Sequence, residues 1–151
     1  MKPTNNTRID LLTIAALVII VFTIQGCSGQ QKKDPWTEKQ LMEPATLAKI
    51  LNDPNASQPL ILCVGPKSVI KKSIDTGPAG ESLDQLKTEL SKLPKDASIV
   101  IYCGCCPFSR CPNVRPAFSL LNEMGFKNQK LLDLSHNIKV DWIDKGYPVN
   151  Y

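Results

Sequence analysis

Ile99-Val-Ile-Tyr-Cys103-Gly-Cys-Cys-Pro-Phe-Ser-Arg-Cys111-Pro112 is the stretch that decides how this chain folds. Its first four residues are apolar and mostly β-branched, the signature of a strand buried on both faces. That strand runs into Cys103. Beyond Pro112 the period changes: Val114, Ala117, Phe118, Leu121 and Met124 recur at three and four, which predicts a helix ending at Gly125. A cysteine between a buried strand and a helix start meets unpaired backbone N–H groups and the positive end of the helix dipole. That setting favours the thiolate, the reactive form of the side chain. Four of the six cysteines lie in this one loop.

Working outward, the same alternation repeats. Pro59-Leu-Ile-Leu-Cys63-Val64 predicts a second buried strand, and Val69, Ile70 and Ile74 suggest a short third one. Leu131-Leu-Asp-Leu134 predicts another. Helical patterns lie between them: one within Trp36–Asn52 broken by Pro44, one opened by a Ser82/Gln85 capping box, and a last one holding Ile138, Trp142 and Ile143. Short apolar strands alternating with amphipathic helices give an α/β fold, a mostly parallel sheet with helices on both faces. Sites in such sheets lie at the carboxyl ends of the strands. Cys63, Cys103 and His136 fall at those ends.

The first 26 residues read as a leader. Lys2 and Arg8 precede an apolar run from Leu11 to Ile24, too short for an ordinary membrane span. Ile24-Gln-Gly-Cys27 resembles the bacterial lipobox, which implies cleavage before Cys27 and acylation there. The chain would then be lipid-anchored to a bacterial membrane, facing the periplasm or the exterior, with residues 27–35 as a polar tether. Residues 36–151 are left for a single domain. Loss of Lys2, Arg8 and Asp10 lowers the net charge from +4 to +3, with the remaining lysines scattered. This pattern offers no nucleic-acid stripe.

Three pieces in order resemble a rhodanese-like domain: Ile99-Val-Ile-Tyr-Cys103, Ala117-Phe-Ser-Leu-Leu-Asn-Glu-Met-Gly-Phe126, and Trp142 followed by Gly146-Tyr-Pro-Val149. The resemblance implies a sulfurtransferase of the thiosulfate type. Cys103 would carry sulfane sulfur as a persulfide, cradled by the loop amides of Gly104, Cys105, Cys106, Pro107, Phe108 and Ser109. It implies a small sulfur-containing donor, a thiol acceptor and no cofactor. The chain departs from the family in a longer loop, in Asn113-Val114 where an Arg-Ser pair is usual, and in Cys63-Val-Gly65 and Ser135-His136 at two other strand ends.

The remaining thiols leave several readings open. Cys106 and Cys111 can pair as a disulfide, or Cys106 can resolve a Cys103 persulfide. Vicinal Cys105 and Cys106 do not readily bridge each other, which leaves Cys63 as another partner. Arg110 suits an anionic donor and His136 suits a general acid. In the alternative reading the loop is a thiophilic metal site or a redox relay, drawing on Cys63, Cys103, Cys105, Cys106, Cys111 and His136. Its Cys-x-Cys-Cys-x4-Cys spacing matches no usual zinc pair.

Overall fold

The computed structural model describes residues 33–150. The leader and the acylation site at Cys27 lie outside them. Five strands form one wholly parallel sheet: β1 (Leu41–Met42), β2 (Leu60–Cys63), β3 (Ile74–Asp75), β4 (Ser98–Tyr102) and β5 (Asn128–Leu132), in the spatial order β1-β5-β4-β2-β3. The helices are α1 (Pro44–Asn52), α2 (Asp84–Ser91) and α3 (Val114–Glu123), joined by a wide turn at Lys139–Ile143. This is the α/β architecture that the alternating pattern predicts.

The pleat of β4 sorts the core. Ile99 and Ile101 point to the side covered by α2 and α3, where Leu86, Leu90, Ala117, Phe118 and Leu121 pack. Val100 and Tyr102 point to the opposite side, against α1 residues Leu47 and Leu51 and against Trp142. Successive side chains in a strand alternate faces, so Cys103 continues the Ile99–Ile101 row onto the α3 side. In β2, Leu62 pairs with Ile101 and Cys63 pairs with Tyr102. Cys63 therefore belongs to the α1 side.

Several boundaries differ from the sequence pattern. Leu41–Met42 is a two-residue edge strand, where Trp36–Asn52 reads as interrupted helix; so short a strand leaves no period to detect. The Ser82/Gln85 capping box does not form. Ser82 Oγ accepts instead from the Asp84 N–H at 3.1 Å, and the helix starts one residue later than expected. Asp34 and Pro35, counted with the tether by composition, are fastened to α3. Arg115 pairs with Asp34 at 2.6 Å, and the Asn122 side chain donates to the Pro35 carbonyl at 2.8 Å. Among the described residues no helix is long and apolar enough to cross a membrane.

Tyr102 secures the segment beyond β2. Its hydroxyl oxygen accepts the Val69 N–H at 2.9 Å and the Ile70 N–H at 3.1 Å, and meets the Ser73 hydroxyl at 2.9 Å. Tyr102→Phe strands those amides in a poorly solvated place, at a cost of about 2 kcal/mol. Urea unfolding of the variant should show that loss with an unchanged slope; full stability would mean that the hydroxyl does not hold the segment.

Candidate functional site

The loop after β4 is pinned at both ends. Gly104 has φ +84°, a conformation that turns the chain sharply, and a Cβ there would come within 2.9 Å of Ile138. Its carbonyl accepts the Ile138 N–H, and the Phe108 N–H donates to Leu134 O, both at 3.0 Å. Trp36 packs edge-on against Phe118 and tilted against Phe108, which closes the loop against the α3 side. Gly65 completes the fit: a Cβ at that residue would lie 2.7 Å from Cys103 Sγ.

Within this frame three sulfurs converge. The Sγ atoms of Cys103, Cys105 and Cys111 all lie within 4.8 Å of one another. Cys103 and Cys105 are 3.1 Å apart, Cys105 and Cys111 are 4.0 Å apart, and Cys106 meets Cys105 at 3.3 Å. All are free thiols, so the Cys106–Cys111 disulfide, one of the pairings the sequence leaves open, is not formed. Cys103 itself is only 5% exposed, a less open position than a surface nucleophile has.

The Cys103 thiol is held at a pKa of about 5, far below its ordinary 9.0. The Cys111 thiol, donating toward it, is the largest cause. The Cys105 amide, the Asn113 side chain and the Cys105 thiol add to this against the cost of burial. Asn113 Nδ2 donates to Cys103 Sγ at 3.2 Å while its Oδ1 accepts the Gly80 N–H at 2.8 Å. The Gly80 bond fixes which way the amide faces, so the amino end is turned to the sulfur. The neighbours move oppositely: Cys105 is pushed up to about 12 by burial and by its bonded sulfurs, and Cys111 is raised by the proton it holds toward Cys103. Of the three thiols, Cys103 is therefore the first to ionise.

This arrangement bears on the expected cradle residue by residue. The Cys105 amide reaches Cys103, whereas Pro107 has no N–H and the Phe108 N–H donates to Leu134 O; in the turn that follows, the Arg110 N–H donates to Pro107 O and the Cys111 N–H to Phe108 O. The amides at the start of α3, from Asn113 and Val114, address Cys111 rather than Cys103. The helix end thus reaches Cys103 through the Cys111 thiol. Asn113 also leaves its capping position unfilled to serve the sulfur.

Two strand-end residues do not join the cluster. Cys63 is fully buried on the other side of the sheet and donates to the Lys67 carbonyl at 3.2 Å; burial raises its pKa. The parity of β2 makes it no partner for Cys105 or Cys106. His136 is exposed and bonded through Nδ1 to Asp141 at 3.0 Å, lining a concavity with Glu43, Asp133 and Lys145 that holds no thiol. Arg110 and Ser109 are exposed. Cys105 is also exposed, and it lines a concavity of about 320 Å³ with Pro66, Pro78, Gly80, Glu81 and Asn113. The residue that sequence reading missed is Asn113, visible there only as a departure from a motif.

The three sulfurs also suit a thiophilic ion. Zinc–sulfur bonds of ~2.3 Å set tetrahedral sulfur–sulfur edges of about 3.8 Å, close to the spacing of this set. Cys103, Cys105 and Cys111 would be the ligands. Comparison of the chain with family models, with curated proteins and with solved structures finds no match.

Two outcomes follow from the electrostatics. A hydrogen bond to a charged acceptor is worth about 1.5–3 kcal/mol, so Asn113→Ala should raise the Cys103 titration midpoint by about one to two units. Thiolate absorbance or alkylation rate against pH reads that midpoint, and an unmoved value would remove Asn113 from the account. Because Cys103 titrates at about 5 folded against 9.0 unfolded, the unfolded chain binds the extra proton between those values. This group's contribution therefore grows as pH rises from about 5 towards 9 and is lost as pH falls through about 5. Denaturation midpoints of wild type and Cys103→Ala should diverge in that direction.

Proposed function

We propose that the chain is a sulfane-sulfur carrier of the rhodanese type, with Cys103 as the atom that takes the sulfur. The observation that carries this reading is the Cys103 sulfur just beyond the middle strand of a parallel sheet, where α/β folds keep their chemistry, met by Asn113 Nδ2 at 3.2 Å and by the Cys105 thiol at 3.1 Å. The resemblance of Ile99–Cys103 and of the α3 sequence to that family supports it from an independent direction.

The transfer step needs only a thiolate and a donor containing a sulfur–sulfur bond. With thiosulfate, the Cys103 anion attacks the outer sulfur and a new S–S bond forms. The bond to the sulfonate sulfur breaks, and sulfite departs with the electron pair. A thiolate of low pKa is a weaker nucleophile but is present in full at neutral pH, and it is stabilised before the donor arrives. The donor would enter by the concavity beside Cys105. A thiol acceptor would later remove the outer sulfur. An acylated Cys27 would hold the domain at a bacterial membrane, on the evidence of the lipobox-like Ile24–Cys27 segment and the basic, apolar leader before it.

A second reading is favoured by one observation, the mutual approach of three sulfurs within 4.8 Å. Near-stoichiometric zinc or copper in anaerobically purified protein would speak for it.

The sulfur-carrier reading is tested by exposing the reduced full-length chain to thiosulfate labelled in its outer sulfur. Wild type should release sulfite and take the label on residue 103, and Cys103→Ser should do neither. Full labelling of the serine variant would give the role to another cysteine.

A further inference from the structure

We infer that Cys105 is an acceptor built into the site: it displaces the outer sulfur from a Cys103 persulfide as hydrogen sulfide, leaving a Cys103–Cys105 disulfide. This rests on the reading of Cys103 as the sulfur carrier and adds to it an activity, reduction of sulfane sulfur.

The geometry singles out one thiol. Cys105 Sγ lies 3.1 Å from Cys103 Sγ. The sharp turn at Gly104 folds the second cysteine back over the first, and its carbonyl bond to Ile138 holds that turn. Cys106 contacts Cys105 at 3.3 Å, one sulfur further along the row. Cys111 is wholly buried and already committed to the Cys103 anion and the first amides of α3. Cys63 occupies the other side of the sheet. Exposure also rises along the path, from Cys103 at 5% to the exposed Cys105 that lines the open concavity. A leaving sulfide and an incoming reductant thus share a route that ends at Cys105.

The chemistry balances without an outside oxidant. The Cys105 thiol passes its proton to the outer sulfur of the Cys103–S–S anion; the Cys105 thiolate then attacks the inner sulfur, and a Cys105–Cys103 bond forms. The bond between the inner and outer sulfur breaks, and the outer sulfur leaves as HS⁻ carrying the proton from Cys105. Two thiol sulfurs are oxidised to a disulfide and one sulfane sulfur is reduced to sulfide. A further turnover needs an external dithiol to reopen the disulfide by exchange.

The test uses the reduced full-length chain, kept anaerobic and given thiosulfate labelled in its outer sulfur, with no added thiol. The ratio of labelled sulfide to released sulfite is the readout, since it does not depend on how fast Cys103 loads. Wild type should give a ratio of about one, a protein two hydrogens lighter, and a peptide pair joining residues 103 and 105. Cys105→Ser should lower the ratio at least about tenfold while label stays on residue 103, and Cys106→Ser should leave the ratio near one. Sulfite without sulfide in wild type, or an unchanged ratio in Cys105→Ser, overturns this inference and leaves the carrier reading standing. Absence of sulfite from wild type overturns both.

Discussion

A sulfur anion that is all but buried must be met by donors, and the loop after β4 is arranged around that requirement. Burial alone would raise the pKa of Cys103, as it does for Cys63. The opposite shift at Cys103 comes from a short chain of hydrogen bonds. Amides at the start of α3 serve Cys111, the Cys111 thiol serves Cys103, and Asn113 serves it from the side. Each donor is an uncharged dipole in a place that excludes most water, where such contacts gain strength. None of them brings a positive side chain to the sulfur, so the site keeps its negative charge.

That requirement also explains residues that look unremarkable in the sequence. Gly65 is where a side chain would collide with the sulfur itself. Gly80 supplies both space and an N–H to Asn113; a Cβ there would come within 2.8 Å of the Asn113 oxygen. Trp36 reaches across from before the first strand to cover Phe108 and Phe118, and Arg115 over its ring pairs with Asp34. The start of the domain thereby braces the loop that carries the thiols.

Much of this was legible in the sequence and some of it was not, for definable reasons. The sheet and its helices follow from apolar runs and their change of period, and Cys103 stands out as the residue where one period gives way to another. Strand β1 left no trace because two residues show no alternation. Cys63 was grouped with Cys103 because both end a strand. Parity separates them, and parity needs the register that pairs Cys63 with Tyr102. Asn113 was hidden because an asparagine before a helix ordinarily reads as a cap. Its use by Cys103 depends on Gly80, 33 residues earlier in the chain. The resemblance implies a cradle of loop amides, but the longer loop changes which of them face the sulfur: the Cys105 amide does, while the Phe108 N–H goes to Leu134 O and the Arg110 N–H to Pro107 O.

The same extra residues explain why this loop can differ in chemistry from a compact one. A ring of backbone amides can stabilise a negative sulfur but cannot accept one, since an N–H group has no electron pair to give to a bond. Replacing amides with thiols changes that. Cys111 and Cys105 stabilise the charge on Cys103 as donors, and each is also a nucleophile once its proton moves. Burial withholds Cys111 from outside reagents, whereas Cys105 faces the concavity. One thiol therefore stays fixed as a donor and the other is placed to react, so holding sulfur and passing it on fall to different atoms of one loop.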